Sequence, residues 1–299
     1  MTTWQLDIQK GWRIGLAIVA GLVLIAAAMI VVAVLNPISI LTFLLGLIAV
    51  AFLAGAGLVS YQLWGLVNAV YTMDRNAVII HWGNYEYQIP LADIQEVLRG
   101  SEAEGLRLRS LFHWPGYFVG RGSAPELGEI FFYATQPAEG QLVLHTQGDT
   151  FVISPVDRDG FITALRERLE MGATQDVEAV SQHPAFLDWP IWRDSVALGM
   201  LGSSLLMLTL LIASLCGIYP ALPAEIPLQI TNTGETVRTT TTIRIFYLAL
   251  MGTLFTLVNG GAGAYLYPRK RMGAYFVWGG LLFLQGSLWV AAATILLNL

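Results

Sequence analysis

Arg107, Arg109 and Arg121 are the side chains of this sequence whose type and spacing could act together. Arg107 and Arg109 are two residues apart, so on a strand they point to the same face. A guanidinium fork held there would take a carboxylate or phosphate through paired hydrogen bonds. Arg121 belongs to the stretch WPGYFVGRG, where Gly116, Gly120 and Gly122 interleave with Trp114, Tyr117 and Phe118. Glycines at that density either let backbone approach a ligand or let the chain turn at positive φ. A nucleotide loop is excluded, because no Gly-Lys-Ser/Thr is present and a strand rather than a helix is expected next. Two readings stay open. One is a partner or anion site built from Arg107, Arg109, Tyr117 and Arg121. The other is a long inter-strand connection whose Trp114 and Tyr117 cover a barrel.

Other chemistry finds no support in the spacing. His81, His113, His145 and His183 form no H-x-H, H-E-x-x-H or Cys/His pattern. Cys216 is alone, so neither a disulfide nor a thiolate metal site is expected. No Gly-x-Ser-x-Gly elbow occurs, and no carboxylate pair carries a second signal. The expectation is a non-enzyme without catalytic residues, cofactor or metal.

The elements that must position these residues are of two kinds. The chain has 299 residues, 55% hydrophobic and 12% charged, far below the roughly 25% charge of soluble domains. Ile14–Leu35, Ile38–Tyr61, Val196–Ile218, Ile245–Tyr267 and Met272–Leu297 each supply the ~20 apolar residues that cross a bilayer. The first run is too long for a signal-peptide core and lacks a small-x-small cleavage site, so it reads as a retained helix. Asn36-Pro37 turns it into the second. Asn259, Gln285, Gln62 and Asn68 are the neutral polar groups in or near these runs, expected to bond between helices. Gly55/Gly57, the NGGAGA run and Gly279/Gly280 are expected to allow close helix packing.

Between the second and third runs, short alternating segments replace the apolar ones. AVIIHWG and YEYQIPL read as strands around Gly83-Asn84, followed by DIQEVLRG, GLRLRS, GEIFFYAT, QLVLHT and TFVIS. Asp157 then caps a helix in which Phe161, Leu165 and Leu169 share one buried face. About seven strands and one C-terminal helix describe a small barrel plugged at one end. AVIIHWGNYEYQIPLADIQEV, WPGYFVGRG, FFYAT and ISPVDRDGFITAL resemble the bacterial PH-domain family of membrane proteins over about 75–170. The resemblance implies a pleckstrin-homology-like barrel and no established ligand.

Charge separates the parts. Residues 71–194 hold nine arginines, no lysine and eighteen acidic residues, a net of −9, which leaves +4 for the rest of a chain of net −5. Such a domain is repelled by anionic lipid surfaces and by nucleic acid. Lys10, Arg13, Arg269, Lys270 and Arg271 fall on one side of a five-helix protein, together with the barrel. By the positive-inside rule that side is cytoplasmic and the C-terminus is external, with Arg238 and Arg244 as exceptions.

Between helices three and four, YPALPAEIPLQITNTGETVRTTTTIR reads as an external loop stiffened by prolines. Leu222, Pro223, Ile226, Pro227, Gly234 and Glu235 resemble a Leu-Pro-x-x-Ile-Pro…Gly-Glu signature of a membrane domain shared with peptide-toxin immunity proteins. The resemblance covers about 196–270. That family commonly carries a histidine where Gln229 stands, so no role of that histidine transfers. The candidate loop residues are Pro223, Pro227, Gly234 and Glu235.

The expected organisation is an α-helical integral membrane protein of five transmembrane helices with an inserted PH-like barrel. A helical hairpin (1–70), a cytoplasmic PH-like domain (71–171), a linker with the interfacial segment FLDWPIWRD (172–194) and a three-helix membrane domain (195–299) follow in order. Its expected site is the bacterial inner membrane. Its expected role is to bind a protein or peptide partner, without nucleic acid and with self-association open. The runner-up is an external-ligand sensor or immunity-type protein, and a membrane enzyme ranks third.

Overall fold

In the computed structural model, the described residues are 1–103, 105–110, 112–125, 127–171, 180–182, 189–230 and 236–297. The chain opens with strand β1 (Thr2–Trp4), followed by helices α1 (Gln9–Leu35) and α2 (Ile40–Val67). Pro37 ends the first helix, and Ser39 starts the second: its hydroxyl accepts from Thr42 N while Thr42 Oγ1 accepts from Ser39 N at 2.9 Å. Next come β2 (Val70–Met73), β3 (Ala77–Trp82), β4 (Tyr85–Pro90), β5 (Ile94–Arg99) and β6 (Arg107–Leu108). They are followed by β7 (Phe118–Ala124), β8 (Gly128–Ala134), β9 (Leu142–Thr146) and β10 (Thr150–Ile153). Helix α3 (Arg158–Met171) and β11 (Val180–Gln182) complete this part. The remainder is α4 (Ser195–Ile218), β12 (Glu225–Ile230), β13 (Thr236–Thr241), α5 (Phe246–Leu266) and α6 (Arg271–Leu297). Helices α1, α2, α4, α5 and α6 are each long and apolar enough to cross a membrane.

Contacts group the chain into two compact units, Met1–Ile25 with Phe52–Ala185, and Ala26–Ala51 with Phe186–Leu299. In the first, one sheet runs β1-β2-β3-β4-β11 and the other β5-β9-β10-β8-β7-β6. Pairing is antiparallel except for β8 with β10. Tyr71, Ile80, Trp82 and Ile89 of the first sheet join Tyr133, Leu144, Phe151 and Ile153 of the second in one buried cluster. Phe161 and Leu165 of α3 join it, as do Leu63 and Leu66 of α2. The Tyr71 hydroxyl ties the two sheets, donating to the Tyr133 carbonyl and accepting from Ser154 N.

The middle strands of the second sheet are buried on both faces. Phe131 packs on the main core whereas Phe132 packs on a second cluster with Ile130, Val143 and Val152. That is why FFYA, LVL and FVI read as continuous apolar runs rather than alternating ones.

Several expectations are corrected here. Gly120 and Gly122 lie inside β7, so of the three glycines only Gly116 belongs to the connection between β6 and β7, in the Trp114–Tyr117 turn. Residues 2–4 and 180–182 add strands that three-residue segments cannot announce by alternation. Leu169 is 40% exposed, so the buried stripe of α3 ends at Leu165. Asp157 does cap α3, accepting from Gly160 N at 2.9 Å.

In the second unit, Gln285 bonds between helices as expected. It is fully buried on α6, and its amide donates to Gly252 O at 3.0 Å and Thr256 Oγ1 at 2.9 Å on α5. Such bonds contribute about 0.6 kcal/mol on average. Asn259 and Asn68 bond within their own helices instead, to Phe255 O and Trp64 O. Close helix approach occurs at Gly252 and Gly263, while Gly260, Gly261, Gly279 and Gly280 face open space. A Cβ on Gly263 would lie 2.2 Å from the Trp278 indole nitrogen. The segment between α4 and α5 is a hairpin, β12 pairing with β13, and its Ile226 is buried with Leu211, Leu215 and Ile245.

Candidate functional site

Strand register decides where the three arginines go. Arg107 pairs with Ser123 and Leu108 with Gly122, and Arg109 N donates to Arg121 O at 2.8 Å. Arg109 and Arg121 are therefore direct neighbours across the β6–β7 ribbon, on the face that also carries Arg107. Arg121 in turn pairs with Phe131, Phe131 with Phe151, Phe151 with Leu144, and Leu144 with Val97. A single row thus crosses the sheet, apolar and covered at one end, arginine and exposed at the other.

The Arg121 guanidinium lies 5.6 Å from the Phe131 ring centroid and 3.3 Å from Glu129 Oε1. Both charged side chains are exposed, at 74% and 57%, so this pair is a weak constraint on the arginine. An open groove of about 570 Å³ runs beside it, lined by Arg109, Arg121, Ser123, Gly128 and Glu129 among others. Arg107 shares the face and lies outside the groove lining. Two guanidinium forks with a hydroxyl and a flanking carboxylate suit a mixed polar segment rich in carboxylates.

Tyr117 is placed apart from these three. It is 5% exposed and stacks on Trp114, centroids 4.3 Å apart. Its other neighbour is Trp82, edge-on at 6.0 Å. Burial pushes its phenol above the usual range, so it is neutral. Trp114 Nε1 donates to Gly11 O at 2.8 Å, and the turn lies directly on the start of α1. Gly116, at φ +92°, brings its backbone against Gly11: a Cβ on Gly116 would sit 2.3 Å from Gly11 N. The turn needs glycine both for its φ and for this contact.

This is a two-sheet β domain closed by a C-terminal helix and rooted in a helical hairpin. Residues 69–169 match the bacterial PH domain family. No match to the chain was found among curated proteins or solved structures.

Two histidines of the PH domain, His81 and His145, make structural contacts. His81 Nδ1 is 3.4 Å from Glu86 Oε2, and His145 Nδ1 is 2.9 Å from Thr150 Oγ1. His183 lies outside the described residues. Among the described residues no group of three His, Cys, Asp or Glu could hold a metal.

Of the loop candidates, Pro223 is exposed and its carbonyl accepts from Thr242 Oγ1. Pro227 pairs with Thr239 in the β12–β13 hairpin. Gly234 and Glu235 lie outside the described residues.

One constellation escaped sequence reasoning. Asp194, with its side chain only 3% exposed, caps α4 by accepting from Val196 N and Ala197 N. Its other oxygen accepts from Tyr267 OH at 2.7 Å, from Tyr275 OH, and from Arg271 Nη2 at 2.7 Å. These tyrosine bonds, then Arg271, hold the carboxyl well below the usual range. With its lone pairs taken, Asp194 binds three helix ends together rather than acting as a base. An acid directly before an apolar helix and a basic residue starting another are the signals that could have found it.

Proposed function

We propose that the chain is a non-catalytic, multi-pass protein of the bacterial cytoplasmic membrane whose PH domain receives a protein or peptide partner on the cytoplasmic side. The observation that carries this reading is the Arg109–Arg121 register, which gathers three arginines on one exposed face beside a groove. In a segment, residues 71–194, of net −9, that face is a local positive feature. It selects an acidic segment while the domain as a whole avoids an anionic bilayer surface. The orientation is supported by Lys10, Arg13 and the 269–271 cluster, which five crossings put on the PH-domain side. A PH domain is typically a non-catalytic module, in keeping with this role.

Affinity capture of the full-length protein from its host tests the reading. A partner should be retained by wild type and lost from a variant carrying Arg109→Glu and Arg121→Glu. Equal capture by both would remove the arginine face from the account.

A second reading, an external-ligand sensor or immunity-type protein, draws on the hairpin, whose Ile226 seats it on the α4–α5 end of its unit. Substituting Pro223 or Pro227 should then abolish a phenotype that the arginine substitutions leave intact.

A further inference from the structure

A second cavity, of about 590 Å³, lies at the foot of α1 and is lined by Asp7, Lys10, His113, Trp114, Phe118 and Gln136 among others. Its level is marked by aromatic side chains at the same end of the hairpin. Trp12 on α1 is 41% exposed, and on α2 Tyr61 and Trp64, stacked at 6.0 Å, are 39% and 47% exposed. Amphipathic rings in that position mark the membrane–water interface. The cavity therefore opens where lipid headgroups lie.

Its polar groups have both signs. Lys10, exposed in the first turn of α1, offers an ammonium. The Nδ1 of His113 lies 2.9 Å from Ser110 O; a carbonyl only accepts, so Nδ1 carries the proton and Nε2 is left for a ligand. Asp7 accepts from Gln9 N through Oδ1, which leaves Oδ2 for a cation. The rest of the wall includes Trp114, Pro115, Phe118 and Pro137. A purely anionic headgroup would be met by the Asp7 carboxylate. A headgroup with a phosphate and a primary ammonium meets a partner for each.

We propose that this cavity binds the phosphodiester headgroup of a zwitterionic, phosphoethanolamine-type membrane lipid, with phosphate toward Lys10 and ammonium toward Asp7. The site is separate from the arginine face and holds or fails independently of the partner reading.

Native mass spectrometry of the delipidated full-length protein tests it, with synthetic phosphatidylethanolamine, phosphatidylglycerol and phosphatidylcholine of identical chains. Wild type should retain phosphatidylethanolamine over phosphatidylcholine, whose quaternary ammonium cannot donate to Asp7. Lys10→Gln should weaken both phosphatidylethanolamine and phosphatidylglycerol by about fivefold, with Lys10→Arg restoring both. Asp7→Asn should weaken phosphatidylethanolamine alone. Both positions are exposed, and unchanged thermal unfolding of the variants checks that the fold persists. Variants that keep wild-type lipid preferences would overturn the proposal. So would binding of water-soluble glycerophosphoethanolamine as tight as that of the lipid, which would make the ligand a soluble phosphoester.

Discussion

The indole nitrogen of Trp114 donates to the carbonyl of Gly11 at 2.8 Å, joining a turn of the PH domain to the first turn of α1. The same junction brings Gly116 against Gly11 so closely that neither tolerates a side chain. On the far side of the hairpin the attachment is covalent, since α2 runs directly into β2. Strand β1, which precedes α1, pairs with β2, which follows α2. Both helices thus grow from neighbouring strands of one sheet, and the barrel is held to the hairpin rather than tethered by a linker.

Gly116→Ala should therefore cost about 1–3 kcal/mol, through overpacking and left-handed backbone combined. Trp114→Phe, which keeps the stacking and loses the donor, should cost about 1 kcal/mol. Thermal unfolding of the detergent-solubilised protein ranks them, and an alanine variant as stable as wild type would refute the contact.

Tyr71→Phe removes the hydroxyl that Ser154 N and the Tyr133 carbonyl share in the core. Leaving two buried backbone groups with one partner fewer should cost about 1–3 kcal/mol. Denaturant unfolding should show the midpoint moving with little change in slope.

The Asp194 carboxyl titrates below its unfolded value, so its contribution is present at neutral pH and down to about pH 4. It is lost as pH falls further, through the lowered folded value. Wild type should accordingly lose stability below about pH 4 more steeply than Asp194→Asn, and Arg271→Gln should fall between them at pH 7. Unfolding temperature against pH for the three proteins checks this ordering, and parallel curves would deny Asp194 its role.

The exposed Arg121–Glu129 pair predicts little for stability. Glu129→Gln should change unfolding free energy by less than about 1 kcal/mol, and a larger loss would show that the pair holds the ribbon in place.

What the sequence revealed follows from the length over which a signal repeats. Five apolar runs of more than twenty residues declare their helices, and β3, β4 and β8 to β10 declare themselves by β-branched and aromatic content. Strands β1, β6 and β11 have two or three residues each, too few for any period, and form because neighbouring strands offer an edge. Gly120 and Gly122 read as loop residues, yet one has φ +137° within a strand and the other lies against Phe132. The face shared by Arg107 and Arg109 was legible from their spacing. Their meeting with Arg121 depends on a register that the chain states nowhere locally. The Asp194 cluster was illegible for a similar reason, because its partners lie 73 to 81 residues away.

The central claim is that the arginine face takes a partner, and photo-crosslinking in the native host tests it most directly. Tyr117 is buried against Trp114, whereas Ser123 lines the groove and leaves every arginine in place. With a photoreactive residue at position 123, the account predicts one dominant protein adduct that disappears when Arg109→Glu and Arg121→Glu are added. An adduct unaffected by charge reversal, or no protein adduct above background, would contradict it.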